Sequence, residues 1–260
     1  MTATVSRQSA SAGASTSWGW TLTLLVSRLV GFALVQAAVA GLFLVSGASE
    51  PWQRSLAWWP ISATVTSLAG IALLDWRLRC EGSRYLDLLR VQRATVGRDL
   101  LVVAAAVVVA AVLAVVPNVG LSVLLWGDPE AGAARFLAPL PLWAAVLALV
   151  AFPLAVGLSE LPTYFGYVLP RLRSLGLAGA WAVILSGSVL SLQHVTLPLA
   201  FDPAFLVWRA FMFLPFALFL AAMLAWRPRL LPYLVVVHVL LDLAAGVQVA
   251  TLSFGGHSTP

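Results

Sequence analysis

Seven long apolar runs, separated by short polar connections, dominate this chain and restrict what it can become. They lie near Thr21–Val45, Ser55–Leu74, Leu100–Val116, Phe136–Val156, Ala178–His194, Phe205–Ala225 and Leu230–Ala250. A bilayer's hydrocarbon core takes about 20 helical residues to cross, so each run is long enough, or nearly so. The fifth is short, and the third is almost pure Ala and Val, which suits close packing against neighbours. Hydrophobic residues make up 61% of the 260 residues and charged ones only 10%, against about 25% charged in soluble domains. Soluble, disordered, fibrous and disulfide-scaffold classes are thereby excluded. The expected fold is all-α, a polytopic membrane bundle of about seven transmembrane helices.

All fifteen basic residues are arginine, and ten acids leave a net charge of +5. In a soluble protein this excess would suggest nucleic acid; here the arginines mark topology first, and no nucleic-acid partner is expected. Arg7 precedes the first run, and Arg77, Arg79, Arg84, Arg90, Arg93 and Arg98 fill the second loop. Arg171 and Arg173 follow the fourth run, and Arg227 and Arg229 follow the sixth. Only Arg54, Arg135 and Arg209 fall opposite. Arg28, near the start of the first run, is expected to snorkel back to the N-terminal face. By the positive-inside rule the N-terminus is cytoplasmic, the C-terminus outside, and the location a cell membrane. Trp18, Trp20, Trp52, Trp58, Trp59, Trp76, Trp208 and Trp226 fall near run ends, as an interfacial belt would.

The organisation follows. Residues 1–17 are a polar leader, expected to be disordered; the long run behind it lacks a clear cleavage site and reads as a retained anchor, not a secretory signal. Residues 18–135 hold the N-terminal transmembrane helices. Their arginine-rich loop, 77–99, carries Leu86, Leu88 and Leu89 and is expected to lie as an amphipathic helix on anionic lipid. Residues 136–250 form the C-terminal core, and 251–260 a polar tail. Membrane lipid is the first expected partner. Cys80, the single cysteine, can form no internal disulfide.

An ionisable side chain costs about 2.5–3.5 kcal/mol at the centre of a membrane helix, so each one needs a reason. Eight of the ten acids fall in loops or at run ends. Glu160 and Asp242 do not, and His194 and His238 also lie in apolar sequence, whereas His257 lies in the tail. Around Glu160, Pro153 and Gly157 should weaken one helix and Ser159 should cap a new one with Pro162 in its first turn. Glu160 would then sit at a helix N-terminus. His194 ends an apolar run that Pro198 breaks. His238 and Asp242 are four apart on one helix face, where the carboxylate can orient the imidazole. These four predict a shared polar cavity. Arg171 and Arg173 read as topology charges, and Tyr164 and Tyr167 as packing aromatics whose hydroxyls could reach that cavity.

Three short motifs carry a resemblance. Glu160-Leu161-Pro162-Thr163-Tyr164-Phe165-Gly166-Tyr167, continuing to Leu169-Pro170-Arg171-Leu172, is similar to a Glu-Glu-x-x-x-Arg-Gly-Tyr motif. Leu190-Ser191-Leu192-Gln193-His194 is similar to Phe-x-x-x-His, and His238-Val239-Leu240-Leu241-Asp242 to His-x-x-x-Asn/Asp. In order and spacing they resemble the CPBP family (CAAX protease and bacteriocin-processing) of intramembrane endopeptidases, over about Phe136 to Val249. Leu161, Phe165 and Leu190 depart from the family's Glu, Arg and Phe. Losing the Glu and Arg together leaves no orphan charge.

The resemblance implies hydrolysis of peptide bonds in membrane-associated protein or peptide substrates. Glu160 would be the general base for an attacking water, His194 would position that water, and His238, oriented by Asp242, would donate to the oxyanion. This route requires no cofactor. The competing route is a zinc site held by Glu160, His194 and His238. Two other classes stay open: a catalytically silent relative serving as a membrane scaffold or immunity protein, and a small transporter or proton relay.

Overall fold

Ser17 opens the first helix, its hydroxyl accepting from the Trp20 N–H at 3.4 Å. The computed structural model describes residues 17–255, so most of the leader, Arg7 and His257 lie outside the described residues. Helix α1 (Trp18–Val45) is followed by the short α2 (Pro51–Ser55) and by α3 (Trp59–Cys80). Two 3-10 turns lead to α4 (Val96–Trp126), and α5 (Ala131–Ala134) turns the chain toward α6 (Leu142–Leu161). A π-helical turn, Pro162–Val168, joins α6 to α7 (Leu169–Ser174). Then come α8 (Gly179–Leu192), α9 (Pro203–Phe211), α10 (Leu214–Trp226) and α11 (Leu231–Gly255). Among the described residues there is no strand, and the architecture is a polytopic membrane helical bundle.

Among the described residues six stretches are long and apolar enough to cross a membrane: Trp18–Val45, Pro51–Cys80, Tyr85–Trp126, Leu142–Ser174, Pro203–Trp226 and Pro228–Gly255. The fifth of the seven expected runs falls short. It forms α8, 14 residues and so about 21 Å long. A 3-10 turn, Gln193–Thr196, then carries the chain on to Leu199. There Gln36 holds the backbone from both sides, its Nε2 donating to Leu199 O at 2.9 Å and its Oε1 accepting from Leu199 N at 2.7 Å. Polar anchoring replaces the missing apolar length.

Other boundaries moved for local reasons. α4 passes through Pro117 instead of stopping at Val116, and α6 starts at Leu142 because Pro139 and Pro141 hold the preceding segment extended. The 77–99 loop is not an amphipathic helix; it makes two 3-10 turns, Tyr85–Leu89 and Arg93–Thr95, and Tyr85 is buried. The C-terminal helix takes in the first half of the expected tail. Trp59 and Trp208 are core residues, not belt residues.

Two glycines set the central helix pair. A Cβ at Gly157 would stand 2.4 Å from Val239 Cγ2 and 3.1 Å from its backbone N, and one at Gly246 would stand 2.5 Å from Ala148 O. Only glycine lets α6 and α11 approach this closely, as small residues do in membrane bundles. The contact seats His238, the residue before Val239, against α6.

Candidate functional site

Pro162 has no N–H to offer Leu158 O four residues back, and its ring crowds that carbonyl. The Tyr85 hydroxyl donates to Leu158 O instead. Thr163 Oγ1 donates to Ser159 O at 2.6 Å, and the backbone widens into the π-helical turn. Such turns recur at functional sites; this one follows directly on Glu160. The break expected at Ser159 does not form. α6 runs through to Leu161, so Glu160 sits in the body of a helix and not at an N-terminus. With Tyr85 compensating for the proline and α11 packed on Gly157, nothing forces the helix to end.

Glu160 is 3% exposed, and its counter-ion comes from α1. Arg28, 1% exposed, does not snorkel. Its Nη2 lies 3.3 Å from Glu160 Oε2, its Nη1 donates to Ser159 Oγ at 2.7 Å and Ser67 Oγ at 3.0 Å, and its Nε donates to Gln193 Oε1 at 2.8 Å. Three built acceptors and a carboxylate outweigh a return to the interface, where only water would serve. Gln193 completes the ring: its Nε2 donates to Glu160 Oε2, and its Oε1 also accepts from the Tyr164 hydroxyl at 3.2 Å. Leu161 and Phe165 are buried in the apolar core.

His238 faces Glu160 across the α6–α11 contact. Its Nε2 lies 3.3 Å from Glu160 Oε1 and 3.4 Å from Asp242 Oδ2, one turn along its own helix. Glu160 Oε1, Asp242 Oδ2 and His238 Nδ1 are buried without a hydrogen bond of good geometry. One oxygen of Glu160 is thus tied down, and the other is turned toward His238.

His194 directly follows Gln193, whose side chain bonds Glu160. Its Nδ1 faces the Leu190 and Ser191 carbonyl oxygens, each at 3.1 Å, which fixes the proton on Nδ1 and leaves Nε2 as the other nitrogen. Its ring meets Phe213 edge-on, centroids 4.9 Å apart. Arg209, expected on the face opposite the N-terminus, is 4% exposed and donates from Nε to His194 O at 2.9 Å. The Phe136 ring lies 4.9 Å from its guanidinium.

Of the expected residues, Glu160, His238 and Asp242 come into contact, with His194 adjacent. Reading the sequence missed Arg28, Gln193, Ser159, Ser67 and Arg209. Arg28 could have been flagged by its depth, ten residues into the helix; the uncharged partners carry no comparable signal. Tyr164 does reach the cluster. Tyr167 does not: its hydroxyl donates to Glu81 Oε1 at 2.7 Å and accepts from Arg77 Nε at 3.3 Å. Arg171 pairs with Glu81 there too.

Among the described residues no group of three His, Cys, Asp or Glu side chains is spaced to hold a metal ion.

The cluster lies deep. Arg28 is eight residues beyond Trp20, Glu160 eleven before Arg171 and His238 ten after Pro228, so it sits about 12–16 Å from the end of the bundle where those residues gather. A cleft of about 150 Å³ between α4, α10 and α11 reaches it. Ala106, Ala110 and Ala114 form one wall, Phe216 and Leu220 another, and His238 is the sole polar lining residue. No family model matches the chain, and neither the curated proteins nor the solved structures searched contain a match.

Proposed function

We propose that this chain is a CPBP-like intramembrane endopeptidase of the cell membrane, N-terminus cytoplasmic, that hydrolyses peptide bonds of membrane-associated proteins or peptides. The observation that carries the reading is Glu160 Oε1, buried and 3.3 Å from His238 Nε2, where an apolar cleft ends on His238. Arg28 and Gln193 fix the other oxygen, so the carboxylate is presented in one orientation. Oε1 takes a proton from a water that attacks the scissile carbonyl, and the proton passes to the leaving amine as the C–N bond breaks. His238, oriented by Asp242, donates to the oxyanion. His194, oriented through Nδ1, assists the water through Nε2.

A catalytically silent relative is the second reading. It is favoured by the same Arg28–Glu160 pair, which a purely structural ion pair would also form. Labelling the new N-termini that appear in membranes carrying wild type, Glu160→Gln or His194→Ala separates the two. The protease reading expects termini made by wild type and lost in both variants; identical termini in all three would leave the silent reading. Cleavage should also survive strong chelation, and loss restored by zinc would overturn the metal-free step.

A further inference from the structure

At the arginine-rich end of the bundle, far from Glu160, two adjoining recesses share Gln92, Pro228 and Arg229. One, of about 490 Å³, is walled by Trp226, Arg227 and Arg229. The other, of about 570 Å³, has Arg90 and Arg173 on its rim and Phe165, Leu169, Leu224 and Leu231 along its floor. The charges around them do not cancel. Arg229 pairs with buried Asp99 at 2.9 Å, and Arg90 with Asp87 at 3.0 Å. Arg173 reaches only a helix-end carbonyl, Ala225 O, at 3.4 Å. Arg227 stacks on the Trp226 ring at 4.1 Å and, among the described residues, has no carboxylate in contact. Arg173 thus lines the recess with the apolar floor and Arg227 the adjoining polar one, and Asp87 and Asp99, the latter acting on both Arg229 and Arg227, leave positive charge in excess there.

We infer that this cleft binds one anionic phospholipid, its phosphate between Arg173 and Arg227 and the start of an acyl chain over Phe165 and Leu169. Guanidinium forks match phosphate oxygens in pairs, and basic pockets between helices at a membrane face select anionic headgroups. The exposed Trp226 places the recess at headgroup level. A free phosphate would use the arginines but not the floor.

The test is native mass spectrometry of the full chain from mixed phosphatidylglycerol and phosphatidylcholine of equal chain length. Wild type should keep one phosphatidylglycerol, preferred about ten-fold or more. Arg173→Gln/Arg227→Gln should lose most of that preference, and Arg79→Gln, at the same end but paired with Asp75, should keep it. Should the double variant not fold, Arg173→Gln alone carries the test, since its side chain holds only one helix-end carbonyl. An unchanged preference in the arginine variants, an equal loss in Arg79→Gln, or displacement of the lipid by equimolar glycerol phosphate would each overturn the assignment.

Discussion

Arg28 Nη2 and Glu160 Oε2 meet at 3.3 Å inside the bundle, joining α1 to α6 across 132 residues of sequence. The pair explains how a carboxylate survives in the middle of an apolar helix without a neighbouring arginine in its own motif. Removing one member of a buried pair leaves an uncompensated charge, which costs about 3–5 kcal/mol. Arg28→Met should therefore lower unfolding stability by about that much, and Arg28→Met/Glu160→Gln by clearly less than the sum of the singles. A double-mutant cycle in detergent reads this; additive losses would contradict the pairing.

The α6–α11 contact depends on absent side chains. Gly157→Ala pushes a methyl into Val239, and overpacking of this kind costs about 1–3 kcal/mol. Because His238 precedes Val239, the change should also separate His238 from Glu160 and lower any Glu160-dependent activity more than stability. Thermal unfolding and cleavage measured on the same preparation check this; wild-type values for both would contradict the close approach.

Tyr85 stands in for the hydrogen bond that Pro162 cannot make. Tyr85→Phe leaves Leu158 O buried and unpaired, a loss of about 1–3 kcal/mol. In Tyr85→Phe/Pro162→Ala the restored backbone N–H should recover part of that loss. A double variant no more stable than Tyr85→Phe would contradict this account of the π-helical turn.

Glu81, just past α3, supplies a pH dependence. Burial alone would raise its carboxyl, but hydrogen bonds from Arg171 and Tyr167 and the charges of Arg171 and Arg77 outweigh burial and hold it below the ordinary 4.5. A carboxyl lowered by folding contributes stability above its unfolded pKa and loses it as pH falls through the folded one. Wild type should lose this contribution below about pH 4.5, whereas Glu81→Gln should be less stable at neutral pH and lack that part of the acid limb. Parallel acid limbs would contradict the assignment.

The helical class was readable from run length alone, because apolar length against bilayer thickness is a one-dimensional property. The four costly residues were readable for the same reason: Glu160, His194, His238 and Asp242 stand out against apolar neighbours. What their side chains touch was not readable. Arg28 looked like an interfacial charge because hydropathy reports depth along one helix, not which neighbour offers acceptors. Gln193, Ser159 and Ser67 are uncharged, so apolar patterning gives them no weight. Gly157 read as a weak point in α6, since a missing side chain in one helix says nothing of the helix that fills the gap. α8 read as a span because its run is continuous with Gln193 and His194, and only the anchoring at Gln36 shows how a shorter helix suffices.

The central claim is that Glu160 is the base. Its most direct test is the cleavage rate of purified wild type and Glu160→Gln in liposomes, on a substrate identified by its new N-terminus, with both proteins unfolding at the same temperature. A general base contributes about 10²–10⁴-fold, so Glu160→Gln should fall by at least about a hundred-fold. A folded Glu160→Gln that cleaves at the wild-type rate would contradict the account.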